Sequence, residues 1–271
     1  MKKLVGLVVV LILGLTGCAQ AAPEEETLTV GLECAYAPFN WTQVEASDTT
    51  VAIDEDGAGY CDGYDIQISQ AIADSLGQTL VVKKIAWDGL IPALVNGEID
   101  MIVAGMTDTE ERRQTIDFSE PYYQSDLVLI VQSSSTYAAA TQLSDFSGAA
   151  VIAQMNTFHD TLVDQIPSVN HLTPLGSFAL LTNAVVQGEA DAMVSEYPVA
   201  LSIVANNPSL SIVQFAPSVG FELAFEDTTV SVAVRQGETD LVNQINSVLA
   251  SLSAETRNAW MADAIARQPQ D

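Results

Sequence analysis

The feature that most constrains this chain is a segment that occurs twice. Residues 90–103 read Leu90-x-x-Ala93-x-x-x-Gly97-Glu98-x-Asp100-x-x-Val103, and residues 181–194 read Leu181-x-x-Ala184-x-x-x-Gly188-Glu189-x-Asp191-x-x-Val194, identical at a constant offset. In each copy, apolar residues at helical spacing run into a glycine where a helix stop belongs, and a short buried strand follows. A helix–strand unit used twice predicts an α/β chain of two lobes built alike. The plainer alternative is a chance likeness between two helix–strand connections.

The register of the repeat also places chemistry. Ala104-Gly105 after the first strand matches Ser195-Glu196 after the second, so the two strand ends point at one cleft from opposite sides. Ligands of open α/β sheets sit outside the carboxyl ends of strands. Around Ala104 and Gly105 the backbone is open to close approach. Thr107 and Glu110 have capping-box spacing, so a helix is expected to begin at Thr107 and to offer free amides to an anion. Arg112 follows about one turn later.

The chain carries nine Lys and Arg, two of them Lys2 and Lys3, against 35 Asp and Glu, for a formal charge of −26. In a chain so poor in cations, an Arg beside an anion site is informative, because Arg grips a carboxylate through two parallel N–H bonds. A surface pair with Glu110 or Glu111 is its competing role. Glu196 facing Arg112 describes the two poles of a zwitterion; the alternative is that Glu196 merely opens the next helix. The same acidity excludes nucleic acid as a partner, since no basic stripe can form.

Lys2 and Lys3 precede an apolar run, residues 4–15, that is shorter than the roughly 20 residues a spanning helix needs. It reads as an export signal. Leu15-Thr16-Gly17-Cys18 resembles the lipobox of bacterial lipoproteins, which implies a signal peptide over 1–17 and a diacylated N-terminal Cys18. Cleavage near Ala21 or Ala22 is the alternative. Residues 18–27 then form a lipid-anchored tether, and the rest is an extracytoplasmic domain held to the cell membrane. Its roughly 250 residues suit two compact lobes or one large one.

Along that domain, residues 28–32 read as a strand, and an aromatic-rich loop from Glu33 to Trp41 follows, either core filler or a stacking platform. Residues 42–60 form a polar, acidic hairpin connection. Beyond Tyr64 the pattern is β/α, with a boundary suggested by the Ser and Ala run from Gln132 to Ala140. With Cys18 lipidated, Cys34 and Cys61 remain, as a bridge or as two buried thiols. His159 and His171 have no nucleophile motif nearby, no metal-ligand spacing occurs, and no cofactor is expected.

The chain resembles the family 3 extracellular solute-binding proteins that deliver polar amino acids to ABC importers. The motifs that carry the likeness are Tyr36-Ala37-Pro38-Phe39, Gly63-Tyr64-Asp65, the run from Trp87 to Leu94, Gly105-Met106-Thr107 with Glu110 and Arg112, Asp117-Phe118-Ser119 with Pro121-Tyr122-Tyr123, and Asp191-Ala192-Met193-Val194. The resemblance implies a two-lobed periplasmic-binding-protein-like fold of type II, in which two crossing strands form the hinge. Lobe 1 would comprise 28–127 and 229–271, and lobe 2 would comprise 128–228. By position, Arg112 would hold the α-carboxylate with help from Gly105, Thr107 and Thr157, and Glu196 would take the α-ammonium.

Tyr36 and Trp87 match the aromatics that sandwich the ligand side chain, and Glu33 matches an acid that meets the cationic end of basic ligands. Asn156 joins the set where Ser or Thr is common, and Met155 stands where Gly is usual. The expected function is binding of a free amino acid, cationic or polar (lysine, arginine, ornithine or histidine), without turnover. Partners would be an ABC permease and ATPase, with the protein itself a monomer. Glutamine or cystine binding, a cyclohexadienyl-dehydratase-like enzyme and a sensory domain are the alternatives.

Overall fold

The computed structural model describes residues 26–54, 59–216 and 218–269. The expected signal segment 1–17, Cys18, the tether as far as residue 25 and the acidic stretch at Glu55, Asp56 and Gly57 lie outside the described residues.

In chain order the elements are β1 (Thr27–Leu32), β2 (Ala35–Tyr36), β3 (Asn40–Gln43), β4 (Val51–Ala52), β5 (Tyr60–Asp62), α1 (Tyr64–Leu76), β6 (Thr79–Lys84), α2 (Trp87–Val95), β7 (Met101–Ile102), α3 (Glu110–Arg113) and β8 (Ile116–Gln124). There follow β9 (Leu127–Gln132), β10 (Ala150–Ile152), α4 (Phe158–Val163), β11 (Asn170–His171), α5 (Phe178–Gln187), β12 (Ala192–Glu196), α6 (Tyr197–Asn206) and β13 (Leu210–Val213). Then β14 (Thr229–Arg235), α7 (Thr239–Ser251) and α8 (Ala254–Arg267) complete the order.

These strands form two five-stranded sheets, ordered β6-β1-β7-β14-β8 and β11-β10-β12-β9-β13, with a small sheet β2-β3-β5-β4 beside the first. The chain passes from the first sheet to the second between β8 and β9, and returns between β13 and β14. The Ser and Ala run from Gln132 to Ala140 is therefore no boundary. It leaves β9 as a short 3-10 turn, Thr136–Ala139, and the Ser133 N–H bonds to the Ser209 carbonyl beside β13.

The repeat seen in the sequence is a repeat of structure. Helix α2 buries Leu90, Ala93 and Leu94, and α5 buries Leu181, Ala184 and Val185. A fully buried Leu contributes on the order of 1.5–3 kcal/mol. Gly97 and Gly188 both take left-handed φ, +75° and +74°, and the next residue of each, Glu98 or Glu189, bonds back to Ala93 or Ala184. A left-handed stop is cheapest for glycine, which explains why it recurs.

Asp100 and Asp191 fix each following strand to its parallel neighbour. The Asp100 carboxylate accepts from the Thr29 N–H at 2.9 Å, and Asp191 accepts from the Ala150 N–H at 2.8 Å. Their own N–H groups donate back to the carbonyls of the same two residues. The identities at these positions thus record one strand-pairing device used in both lobes. Helix α2 starts at Trp87, so Pro92 lies in its second turn, where the missing N–H removes one helix bond.

Cys34 and Cys61 are joined in a disulfide, with Cα atoms 5.7 Å apart and a sequence separation of 27. It ties the turn after β1 to the small sheet, and both residues are buried. Closing a loop of that length stabilises by about 3 kcal/mol in the chain-entropy account. Mass spectrometry of protein alkylated without reduction should find neither cysteine labelled, and reduction should lower stability in denaturant by about that amount. Labelling of both thiols in folded protein would contradict the bridge.

Candidate functional site

Four strand ends meet between the lobes: those of β1 and β7 from the first sheet, and those of β10 and β12 from the second. Each pair is parallel or lies about a parallel neighbour, so the loops that follow emerge on the same side. Glu33 and Tyr36 follow β1, residues 104–107 follow β7, residues 154–157 follow β10, and Glu196 ends β12.

Of the ten residues proposed from sequence, Glu33, Tyr36, Trp87, Gly105, Thr107, Arg112 and Thr157 line a single pocket, together with Gln154, Phe158 and His159. The room inside is about 20 Å³, enough for about one water and far below the several hundred Å³ of ordinary small-molecule sites. In this closed arrangement the lobes touch across the cleft. Ala104 is buried behind the pocket, Asn156 sits at its rim, and Glu196 lies behind Tyr36 and His159.

The capping prediction at Thr107 fails. Thr109 is the N-cap, accepting from the Arg112 N–H at 3.3 Å, and α3 is a single turn. Thr107 and Thr109 are both eligible caps, and the one nearer Glu110 wins. Nor is the Gly105 amide open to an anion. It donates to the Tyr122 hydroxyl oxygen at 2.9 Å, and that hydroxyl donates to Asp65 at 2.7 Å. Asp65, fully buried at the start of α1, also accepts from the Asn40 amide at 2.8 Å. Burial pushes Asp65 up to about 7 against these hydrogen bonds, and pushes the Tyr122 hydroxyl well above its ordinary range. The chain Asp65–Tyr122–Gly105 positions the turn rather than receiving a ligand.

Arg112 is the cation of the site. Its Nη1 donates to the Thr107 carbonyl at 2.6 Å, its Nη2 to the Asn156 carbonyl at 3.3 Å, and its guanidinium lies 5.1 Å above the Trp87 ring. Neither Glu110 nor Glu111 pairs with it, and among the described residues no carboxylate lies within 4 Å. Burial pushes its pKa down to about 10, so it stays charged at neutral pH.

Asn156, with φ +57°, ties the second lobe to the first. Its carbonyl accepts from Trp87 Nε1 at 3.0 Å as well as from Arg112, and its side-chain amide donates to Asp88 at 2.8 Å. Glu33 accepts from Gln154 across the same cleft at 3.4 Å, and burial pushes it up to about 7. Glu196 is buried, accepting from the Tyr36 hydroxyl and lying 3.2 Å from His159 Nε2. Burial works to raise it, but His159 and the Tyr36 hydroxyl hold it below the usual carboxylate range.

The Tyr36 ring stacks on Phe39 at 5.5 Å and packs against Phe178 at 4.7 Å. Phe178 opens α5 as Trp87 opens α2, so the repeat also supplies one aromatic from each lobe. Sequence reasoning did not assign Gln154, Phe158 or His159. The polar turn before α4 signalled the first two, whereas the pairing of His159 with Glu196 joins distant parts of the chain and left no local sign.

Comparison with known proteins bears on this geometry. The profile of the bacterial extracellular solute-binding proteins, family 3, matches residues 28–263. The chain belongs to that family. A relative in Escherichia coli, a putative ABC transporter arginine-binding protein, is 27% identical over 94% of this chain and 95% of its own length. A glutamine-binding ABC transporter protein of Bacillus subtilis is 28% identical over 74% of this chain and 71% of its own. Among solved structures, an amino-acid ABC transporter substrate-binding protein from Streptococcus pneumoniae, bound to L-arginine, superimposes with a TM-score of 0.75. It is 29% identical and covers 89% of this chain and 94% of its own. The two lobes and their crossing strands are thus the type II periplasmic-binding-protein fold, and the pocket of this family 3 protein lies where its lobes meet.

Gly105 offers a direct test of the site's construction. Its φ is +60°, and a Cβ there would stand 2.9 Å from Tyr36 Cε1. Gly105→Ala is expected to destabilise by about 1–2 kcal/mol through the left-handed backbone alone, with more from the displaced ring. Urea denaturation measures this, and an unchanged midpoint would contradict the geometry described.

Proposed function

We propose that this protein is the extracytoplasmic binding component of an ABC importer and closes on a free L-amino acid, with a preference for cationic side chains. The observation that carries this reading is Arg112. A guanidinium held by two carbonyls and an aromatic face, with no carboxylate within reach among the described residues, keeps its charge uncompensated. An incoming α-carboxylate would supply the missing anion. Glu196, on the opposite lobe, would take the α-ammonium.

Hinge motion follows from the small room in the pocket: an amino acid enters only when the lobes part about the crossings near residues 125–126 and 214–228. On this reading lobe 1 comprises 28–126 and 229–271 and lobe 2 comprises 127–228, one residue earlier than the sequence suggests, because Leu127 already pairs with Glu196 in the second sheet. Lipidation at Cys18 would hold the monomer near a permease and its ATPase, and binding would occur without turnover.

Glu33 decides between side chains. Ionised, it would pair with an ammonium or guanidinium held between Tyr36 and Trp87. Protonated and bonded to Gln154, it would meet a neutral amide without an unpaired charge. Its value of about 7 gives this choice a pH dependence of definite sign. Pairing with a cation favours the ionised form, so L-arginine affinity should rise as pH increases through about 7 and flatten above it. L-Glutamine is the second reading, favoured by the existing Gln154 contact.

Two measurements test the proposal. Arg112→Ala should lose on the order of 2–5 kcal/mol of binding free energy in calorimetry while remaining folded by circular dichroism; an unchanged affinity would remove Arg112 from the site. Titration of wild type and Glu33→Gln with L-arginine and L-glutamine should show an arginine preference that the substitution abolishes. Glutamine preference in wild type would overturn the assignment of a cationic ligand.

A further inference from the structure

His159 is the second residue of α4 and is 7% exposed. Nε2 lies 3.2 Å from one oxygen of Glu196, and the Tyr36 hydroxyl donates to the other. The imidazole stands edge-on to Phe178, with ring centres 6.0 Å apart, and Nδ1 is buried with no hydrogen-bond partner. Around it, β12 presents Glu196, β2 presents Tyr36 and α5 presents only the Phe178 ring. Farther out, Glu33 and Asp65 act through space on Tyr36, and Asp160, the next residue of α4, is engaged by His171.

We propose that His159 is the positioning residue of the ammonium pole: as neutral imidazole it donates Nε2–H to Glu196 and orients that carboxylate, and an α-ammonium binds at Glu196 only when His159 carries no charge. The proposal rests on the reading of Glu196 as that pole. One buried carboxylate neutralises one cation. If His159 were protonated, it would already be that cation, and an arriving ammonium would add a second positive charge to a site with little water to screen it.

Nδ1 adds an independent reason. In the neutral Nε2–H tautomer it is an unpaired acceptor. Protonation would make it a buried N–H donor with nothing to accept, the more costly orphan. Ligand binding should therefore expel a proton from His159 wherever the free protein holds one.

The test is calorimetry of wild type and His159→Gln with L-arginine, between about pH 5 and pH 8, in buffers of differing ionisation enthalpy. Wild type is expected to release up to one more proton per arginine than His159→Gln at the acid end. Its affinity should correspondingly fall up to about tenfold per pH unit more steeply. Near pH 8 the difference in proton release between the two should vanish. Any proton leaving Glu33 is common to both proteins and cancels in the comparison.

The chain has two histidines, so the imidazole C–H resonances of wild type give a second readout that needs no variant. Saturating L-arginine should move one histidine titration to lower pH and leave the other in place. Equal proton release by the two proteins, or two unmoved histidine titrations, would overturn the proposal. Should wild type bind L-glutamine and not L-arginine, the cationic preference falls, yet the same comparison with L-glutamine tests His159, since both ligands carry the α-ammonium. If wild type binds neither, L-lysine or L-ornithine takes the place of L-arginine in the same comparison, since each carries the α-ammonium; binding of none of the four would overturn the reading of Glu196 as the ammonium pole and the role of His159 with it.

Discussion

A guanidinium taken out of water must be surrounded by oxygen atoms or neutralised by an anion, and the cleft of this protein is organised by that requirement. Arg112 finds the Thr107 carbonyl on its own lobe, the Asn156 carbonyl on the other, and the face of Trp87. Carbonyl dipoles satisfy the N–H groups without cancelling the charge. Because one acceptor comes from each lobe, the environment of this cation depends on whether the cleft is closed. An anion delivered by a ligand would act on the same group that joins the lobes, so binding and closure become a single event.

The remainder of the site is scaffolding for that event. Asp65 and Tyr122 hold Gly105, Gly105 leaves space for the Tyr36 ring, and the Tyr36 hydroxyl reaches across to Glu196. A buried carboxylate in lobe 1 is in this way connected through Tyr122, Gly105 and Tyr36 to the acid of lobe 2. Apart from the packing of the Tyr36 ring on Gly105, each link is a hydrogen bond, so loss of one leaves its neighbour short of a partner rather than merely less favoured.

The two-lobed design was legible because the repeated identities perform backbone work. Gly97 and Gly188 end helices in left-handed geometry, and Asp100 and Asp191 clamp parallel strands, so neither pair is free to drift toward other residue types. Arg112 stood out for its scarcity. What the sequence concealed was competition between near-equivalent groups and pairing over long distances. Thr107 and Thr109 offer the same cap two residues apart, and spacing alone does not choose between them. The Gly105 amide looked available until folding brought Tyr122 to it from β8. Likewise, Asn156 read as one more polar residue of a ligand turn, whereas its carbonyl and side chain span the cleft to Trp87, Arg112 and Asp88.

The central claim is that the cleft reads a zwitterion by its two charges, and the most direct measurement removes one charge from the ligand at a time. Calorimetric titration would compare L-arginine with agmatine, which lacks the carboxylate, and with Nα-acetyl-L-arginine, which lacks the ammonium. Each omission leaves a buried group, Arg112 or Glu196, without its counter-charge, so both analogues should bind at least about a hundredfold more weakly than L-arginine. Either analogue binding as tightly as L-arginine would contradict the account.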